Sequence, residues 1–155
     1  MNIKFSRELI KGRIAEVIFE QMIREEERYE VIPFGYEHTV PTLAQYQEFV
    51  EIKRVMKNIK DAPDFALISN DKKEVYLVEV KYQSELNIEQ IKKYAVQQLK
   101  RWDPSWLFIA CPNGFFCSSC HAIIKEGDIE RLRFSWVQKK RQEDYLQLLN
   151  EFEKK

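Results

Sequence analysis

Three ionisable residues sit where a buried hairpin would ordinarily carry apolar ones. The stretch Ala62 to Gln83, APDFALISNDKKEVYLVEVKYQ, holds two apolar runs around the polar segment Asn70–Lys73. Asp64 opens the first run, and Glu79 and Lys81 interrupt the second. Reading Asn70–Lys73 as a hairpin loop pairs Ser69 with Glu74, and the same register sets Asp64 opposite Glu79. Directly opposed residues share one face of a sheet, with Cβ atoms about 4.5–5.5 Å apart. Period two puts Lys81 on that face too, one step beyond Glu79.

Facing carboxylates repel, and more strongly as water is excluded. Lys81 offsets one charge. A divalent cation offsets the remainder and takes both carboxylates as hard oxygen ligands. Mg²⁺, with Mn²⁺ as a substitute, is commonly held by one or two carboxylates plus substrate phosphate and water. An ammonium beside such an ion can orient or help deprotonate the attacking water and stabilise charge on a phosphorane-like transition state. The constellation points to phosphodiester hydrolysis. The simpler alternative is a Glu79–Lys81 ion pair at a strand end, with Asp64 solvating the edge.

Positioning these groups requires a sheet backed by helices. Ser6 to about Glu27 reads as a helix capped by Ser6, with Ile10, Ile14, Val17, Ile18 and Met22 as its main apolar stripe. YEVIPFG reads as a strand, and PTLAQYQEFVEIKRVMKNI as an irregular helical excursion. Strands Pro63–Ser69 and Glu74–Tyr82 follow, then a helix from Ile88 to Trp102 turning Ile91, Ala95, Leu99 and Trp102 inward. SWLFIAC is a further strand ended by PNG, and a helix from about Gln138 brings Tyr145, Leu148, Leu149 and Phe152. The order α, β, (α), β, β, α, β, α predicts an α/β sandwich with a central mixed sheet.

Pro63-Asp64 and Glu79-Val80-Lys81 resemble the two halves of the motif of the PD-(D/E)xK nuclease superfamily, whose fold is the restriction-endonuclease-like core of αβββαβ type. The resemblance extends over most of the chain. It implies Asp64 and Glu79 as metal ligands, the Val80 carbonyl as a third, and Lys81 as the catalytic lysine. In that family an early helix bears an acid shortly after a glycine. KGRIAE offers Gly12 and Glu16, with Glu20 one turn on. The helix after the ExK strand often carries a Gln or Tyr near the site, here Tyr94, Gln97 and Gln98. Gln98 interrupts the inward face of Ile91, Ala95 and Trp102, where a buried amide can bind a site carboxylate or a phosphate, or serve the core. Glu16 lies off the main stripe near Leu9, Phe19 and Ile23, where a solvated acid is the plain alternative.

The chain has 155 residues, enough for one domain spanning 1–155. With 45% hydrophobic residues it can build a core, and 4 Gly and 5 Pro argue against a loop-rich chain. Lys plus Arg and Asp plus Glu balance at 25 each, so nucleic acid must be met by a local patch. Lys92, Lys93, Lys100 and Arg101, interleaved with Tyr94 and Trp102, form one such patch. Arg131, Arg133, Lys139, Lys140 and Arg141 form another. DNA is the expected partner, with RNA open, and phosphate contacts of this kind position without reading sequence. Target choice calls for a homodimer or a protein partner. The charged start MNIKFSRELIKGR and the absence of a long apolar run predict neither export nor a membrane span. An odd three cysteines fits a reduced, cytoplasmic protein. CSSCH, Cys117 to His121, matches a haem-attachment pattern that needs export. A zinc site from Cys111, Cys117, Cys120 and His121 is a second reading of the same residues. The rival functions are a catalytically inactive nucleic-acid-binding or assembly module of the same fold and a zinc-binding interaction domain.

Overall fold

The computed structural model describes residues 3–34 and 62–153; the helical excursion expected within 41–59 lies outside them. Helix α1 spans Ile3–Glu26 and leads into β1, Tyr29–Pro33. Strands β2, Phe65–Ser69, and β3, Val75–Tyr82, form the hairpin; α2, Ile88–Leu99, crosses over to β4, Trp106–Cys111. Then come β5, Gly114–Ser119, a short α3, Cys120–Glu126, and α4, Lys139–Glu153. The chain is an α/β fold with a five-stranded open sheet in the order β1-β2-β3-β4-β5. Among the described residues only the β3–β4 pairing is parallel, so the sheet is mixed. No described helix is long and apolar enough to cross a membrane.

The sheet separates two apolar layers. On one face, Phe65, Leu67, Val78, Val80, Phe108, Ala110 and Phe115 pack against α1 and α4. Phe19 is central there, its ring 5.3 Å from Phe65 and 4.8 Å from Phe108. On the other face, Leu107, Ile109, Cys111 and Phe116 meet Ile91 and Ala95 of α2 and Ile123 of α3.

The hairpin register is the expected one. Phe65 pairs with Val78 and Ala66 with Leu77, and the Ser69 N–H donates to the Glu74 carbonyl at 2.9 Å. The loop chemistry that sets it is local. Asp71 accepts from the Ser69 hydroxyl at 2.6 Å and the Lys73 N–H at 2.9 Å, while Lys72 takes the left-handed conformation.

Several elements differ from expectation. Ser6 lies inside α1 and is not its cap, because the helix already begins at Ile3. The buried face of α1 is Ala15, Ile18, Phe19, Met22 and Ile23, whereas Ile10 and Val17 stand exposed. Of the expected stripe, Ile18 and Met22 are buried and Ile14 packs against the core, and the buried face is rotated toward Ala15, Phe19 and Ile23. Helix α2 stops at Leu99 rather than Trp102, although Ile91, Ala95 and Gln98 are buried and Leu99 packs against the same core, as expected. On α4, Leu149 is buried while Leu148 and Phe152 are exposed. Strand β5 and helix α3 were not anticipated. Pro112-Asn113 turns β4 into β5 with Cys111 opposite Gly114, so PNG is a hairpin turn as well as a strand end.

Candidate active site

Asp64 lies just before β2, at the end of the hairpin away from its loop. Its carbonyl accepts the Phe34 N–H at 2.8 Å, which ties it to the end of β1. Its carboxylate accepts the Val80 N–H at 2.8 Å. Beyond Phe65 the β2 ladder has ended, and the Asp64 side chain supplies the acceptor the next backbone group needs. In an extended strand the N–H and C=O of one residue point the same way, so the Val80 carbonyl is directed toward this same edge.

Glu79 and Lys81 alternate with Val78 and Val80 and so face α2 rather than α1. Glu79 is buried, 9% exposed, and Lys81 is half-buried with its ammonium 3.6 Å from the Glu79 carboxyl. Gln98 is buried on the inward face of α2, and its amide donates to Glu79 at 3.1 Å. The helix is aimed by its start: the Asn87 side chain caps the Gln90 N–H at 3.0 Å, and Gln83 in turn accepts the Asn87 N–H at 2.9 Å. One turn before Gln98, the Tyr94 ring lies under the Lys81 ammonium at 5.0 Å.

Burial raises the Glu79 pKa well above the ordinary carboxylate value; the hydrogen bond and negative charge of Asp64 add to this, Lys81 opposes it, and Glu16 contributes least. Two carboxyls held side by side in this partly buried place form a site whose negative charge a cation would offset. Burial pulls the Lys81 pKa down, but Glu79, Asp64 and Tyr94 outweigh it and leave the pKa raised. Lys81 is an ammonium here, suited to orienting and stabilising negative charge; the alternative of taking a proton from water is disfavoured.

The expected site residues thus converge. Asp64, Glu79, Lys81, the Val80 backbone and Gln98 are in direct contact, and Glu16, its side chain 18% exposed on the flank of the buried α1 face, is felt electrostatically. The Tyr94 contact with Lys81 went unanticipated in that role. Its signal was the spacing of four from Gln98 on one helix face. Phe34 and Trp102, ring centroids 5.4 Å apart, join the ends of β1 and α2 close by.

Does this donor set suit a hard cation? Among the described residues, no three His, Cys, Asp or Glu side chains gather as metal ligands. The carboxyls of Asp64 and Glu79 lie beside the Val80 backbone, and Mg²⁺ takes most of its oxygens from water and phosphate. This donor set fits such an ion, and Asp64 and Glu79 are the side chains that would hold it.

The zinc reading fails on geometry. Cys117 packs in the α1 layer, whereas Cys111 and Cys120 pack in the α2 layer across the sheet. His121 is exposed and bonded to Asp103 at 2.7 Å. All three thiols are free and buried, and burial raises the pKa of Cys117 and Cys120.

The two basic runs differ as well. In the C-terminal run, Arg133 pairs with Glu130, Lys140 with Asp144, and Arg141 with Glu25 and Glu26. On and after α2, Lys93, Lys100 and Arg101 are exposed, while Lys92 is half-buried and pairs with Glu89 at 3.7 Å.

In comparison with known proteins, the chain matches no protein-family model and no curated protein.

Proposed function

We propose that this chain is a Mg²⁺-dependent nuclease with a restriction-endonuclease-like core of the PD-(D/E)xK kind, hydrolysing phosphodiester bonds in DNA. The observation that carries the reading is the meeting of Asp64 and Glu79 at the hairpin end, with Asp64 bonded to the Val80 N–H at 2.8 Å and the Lys81 ammonium 3.6 Å from Glu79. Asp64 and Glu79 would hold the ion, with the Val80 carbonyl beside them. A bound Mg²⁺ supplies charge neutralisation and Lewis-acid polarisation of a phosphoryl oxygen. Lys81, kept charged by its acidic neighbours, orients the attacking water and stabilises the negative charge that grows on phosphorus-bound oxygen. Gln98 fixes the rotamer of Glu79, and Tyr94 fixes the ammonium from below. Glu16 adds negative potential that favours a cation. Lys92, Lys93 and Tyr94 on α2, with Lys100 and Arg101 just after it, would supply the phosphate contacts to bound DNA.

The test is incubation with Mg²⁺ or Mn²⁺ and a panel of linear, circular, single-stranded, flapped and branched DNA, alongside Asp64→Ala and Lys81→Ala chains. Cleavage by the wild type that both substitutions abolish is the expected result. Identical traces for all three proteins on every substrate would refute the assignment.

A further inference from the structure

Beyond the edge of β5 the chain returns as a short rung. Phe116 faces Arg131 across it, the Cys117 N–H donates to the Glu130 carbonyl and the Leu132 N–H to the Phe115 carbonyl, both at 2.9 Å. The loop that follows is held from inside. The Gln142 amide donates to the carbonyls of Val137 at 2.8 Å and Leu132 at 3.1 Å, and the Trp136 N–H donates to the Arg133 carbonyl at 3.0 Å. Phe134 stands in this fixed loop, 61% exposed. It lines a cleft of about 410 Å³ together with Phe115, Leu132 and Leu146. A lone exposed ring is ordinary, but a ring locked beside an apolar cleft and between cations is a stacking platform.

The cations of the cleft are Arg131, Arg133 and Lys139. Glu130 neutralises Arg133, whereas among the described residues Arg131 and Lys139 enter no ion pair. Arg131 is nonetheless fixed. Its guanidinium lies 5.1 Å over the Phe116 ring and donates to the Asn113 carbonyl at 3.4 Å. Gly114 leaves room for it, since a Cβ there would come within 2.7 Å of the guanidinium. Glu143 is the one acid among the described residues lining the cleft, so positive charge prevails. A ring, an apolar slot and two unneutralised cations suit an unpaired base with its flanking phosphates. We infer that this edge of the sheet binds a segment of single-stranded DNA, with one base against Phe134 in the cleft and the phosphates on Arg131 and Lys139. The choice of DNA rests on the nuclease reading; the residues that bind it are separate from Asp64, Glu79 and Lys81.

The sheet register relates the two places. Lys81 pairs with Ile109, Ile109 with Phe116 and Phe116 with Arg131, which sets all four in one row on one face. Three strand spacings, about 14 Å, therefore separate the Lys81 backbone from that of Arg131. Ile91 of α2 and Ile123 of α3 share a buried cluster with Ile109 and Phe116, so the row between is covered. A strand held at both ends passes around the helices, and at about 3.4 Å per stacked nucleotide it needs more than about four nucleotides to do so.

Fluorescence anisotropy of a labelled single-stranded oligonucleotide, with chelator present so that no strand is cut, is the experiment. Phe134→Ala weakens binding about 5- to 100-fold without changing its salt dependence, and leaves the affinity for a blunt duplex unchanged because paired bases are not offered. Arg131→Ala and Lys139→Ala each flatten the slope of log affinity against log salt by about 0.7, and Glu143→Gln tightens binding. All four side chains are exposed, so the thermal midpoint stays at the wild-type value in each variant. A wild type that does not bind the oligonucleotide, a Phe134→Ala chain that binds it equally well, or equal losses on single strand and duplex would each overturn the proposal. An acidic apolar peptide that binds the wild type more tightly than the oligonucleotide, and loses that affinity with Phe134→Ala, would overturn it in favour of a protein partner. The chelator stops cleavage in every arm, so these results stand apart from the nuclease assignment, which only the Mg²⁺ assay tests.

Discussion

On β3, Val78 and Val80 face α1 and join a layer built on Phe19, Phe65 and Phe108, whereas Glu79 and Lys81, their neighbours in sequence, face α2. The α1 face buries aromatic and aliphatic side chains, with Phe19 edge-on to Phe108 and Phe108 stacked on Phe115, which is stabilising and insensitive to pH. The α2 face mixes Ile91, Ala95, Leu107 and Ile109 with a buried carboxyl, an ammonium and an amide. Burying that carboxyl is unfavourable, as its raised pKa records. One face thus holds the strands rigid enough for the other to keep unfavourable groups in fixed positions, the usual arrangement of a functional site on a stable scaffold.

The largest effect should come from the apolar face. Phe108 is fully buried between Phe19 and Phe115, so Phe108→Ala should lose about 3–5 kcal/mol in urea unfolding. Any cleavage should fall only as the folded fraction falls. Lys81→Ala should do the reverse, lowering kcat by about 10²–10³-fold with the thermal midpoint little changed. Equal losses of stability from the two substitutions would erase the contrast between the faces.

Gln98→Ala should raise the Mg²⁺ concentration for half-maximal cleavage by about tenfold, because Glu79 loses the partner that orients it. A metal titration of initial rates reads this directly.

Glu79→Gln sharpens the comparison through pH. The folded-state pKa of Glu79 is raised, so its contribution to stability is fully present below the ordinary carboxylate pKa and is lost as pH rises through the folded value. In metal-free protein the thermal midpoint should fall from mildly acidic to alkaline pH. Glu79→Gln should remove part of that fall and be a few degrees more stable at neutral pH. An unchanged pH profile would show that the carboxyl ionises without cost.

The smallest effect is expected on the outer face of α2. Lys93→Ala with Lys100→Ala should weaken DNA binding uniformly across sequences. The slope of log affinity against log salt should flatten by about 0.9 for each phosphate that is no longer neutralised. Arg133→Ala, which removes a guanidinium already paired with Glu130, should leave that slope unchanged.

The hairpin was readable because everything that sets it is near in sequence. The loop residues Ser69 to Glu74 close on one another, and the period of two carries their register to Asp64 and Glu79. The inward position of Gln98 followed in the same way from its spacing to Ile91 and Ala95. Strand β5 was missed because its apolar run is short and its cysteines invite a metal reading, although Asn-Gly between two apolar runs is itself a hairpin signal. The α1 stripe was right at Ile14, Ile18 and Met22 and wrong at Ile10 and Val17, because neighbouring apolar positions on one helix are equivalent until something packs on them.

The sequence alone determined the local geometry: turn, register, helix phase, and hence the placing of Asp64 against Glu79. Tertiary structure alone decided which face of α1 meets the sheet, which side of it each cysteine occupies, and that Gln98 and Tyr94 reach Glu79 and Lys81. Those outcomes depend on burial between segments far apart in the chain, where no spacing rule operates and the free energy of the whole packed arrangement selects the neighbours.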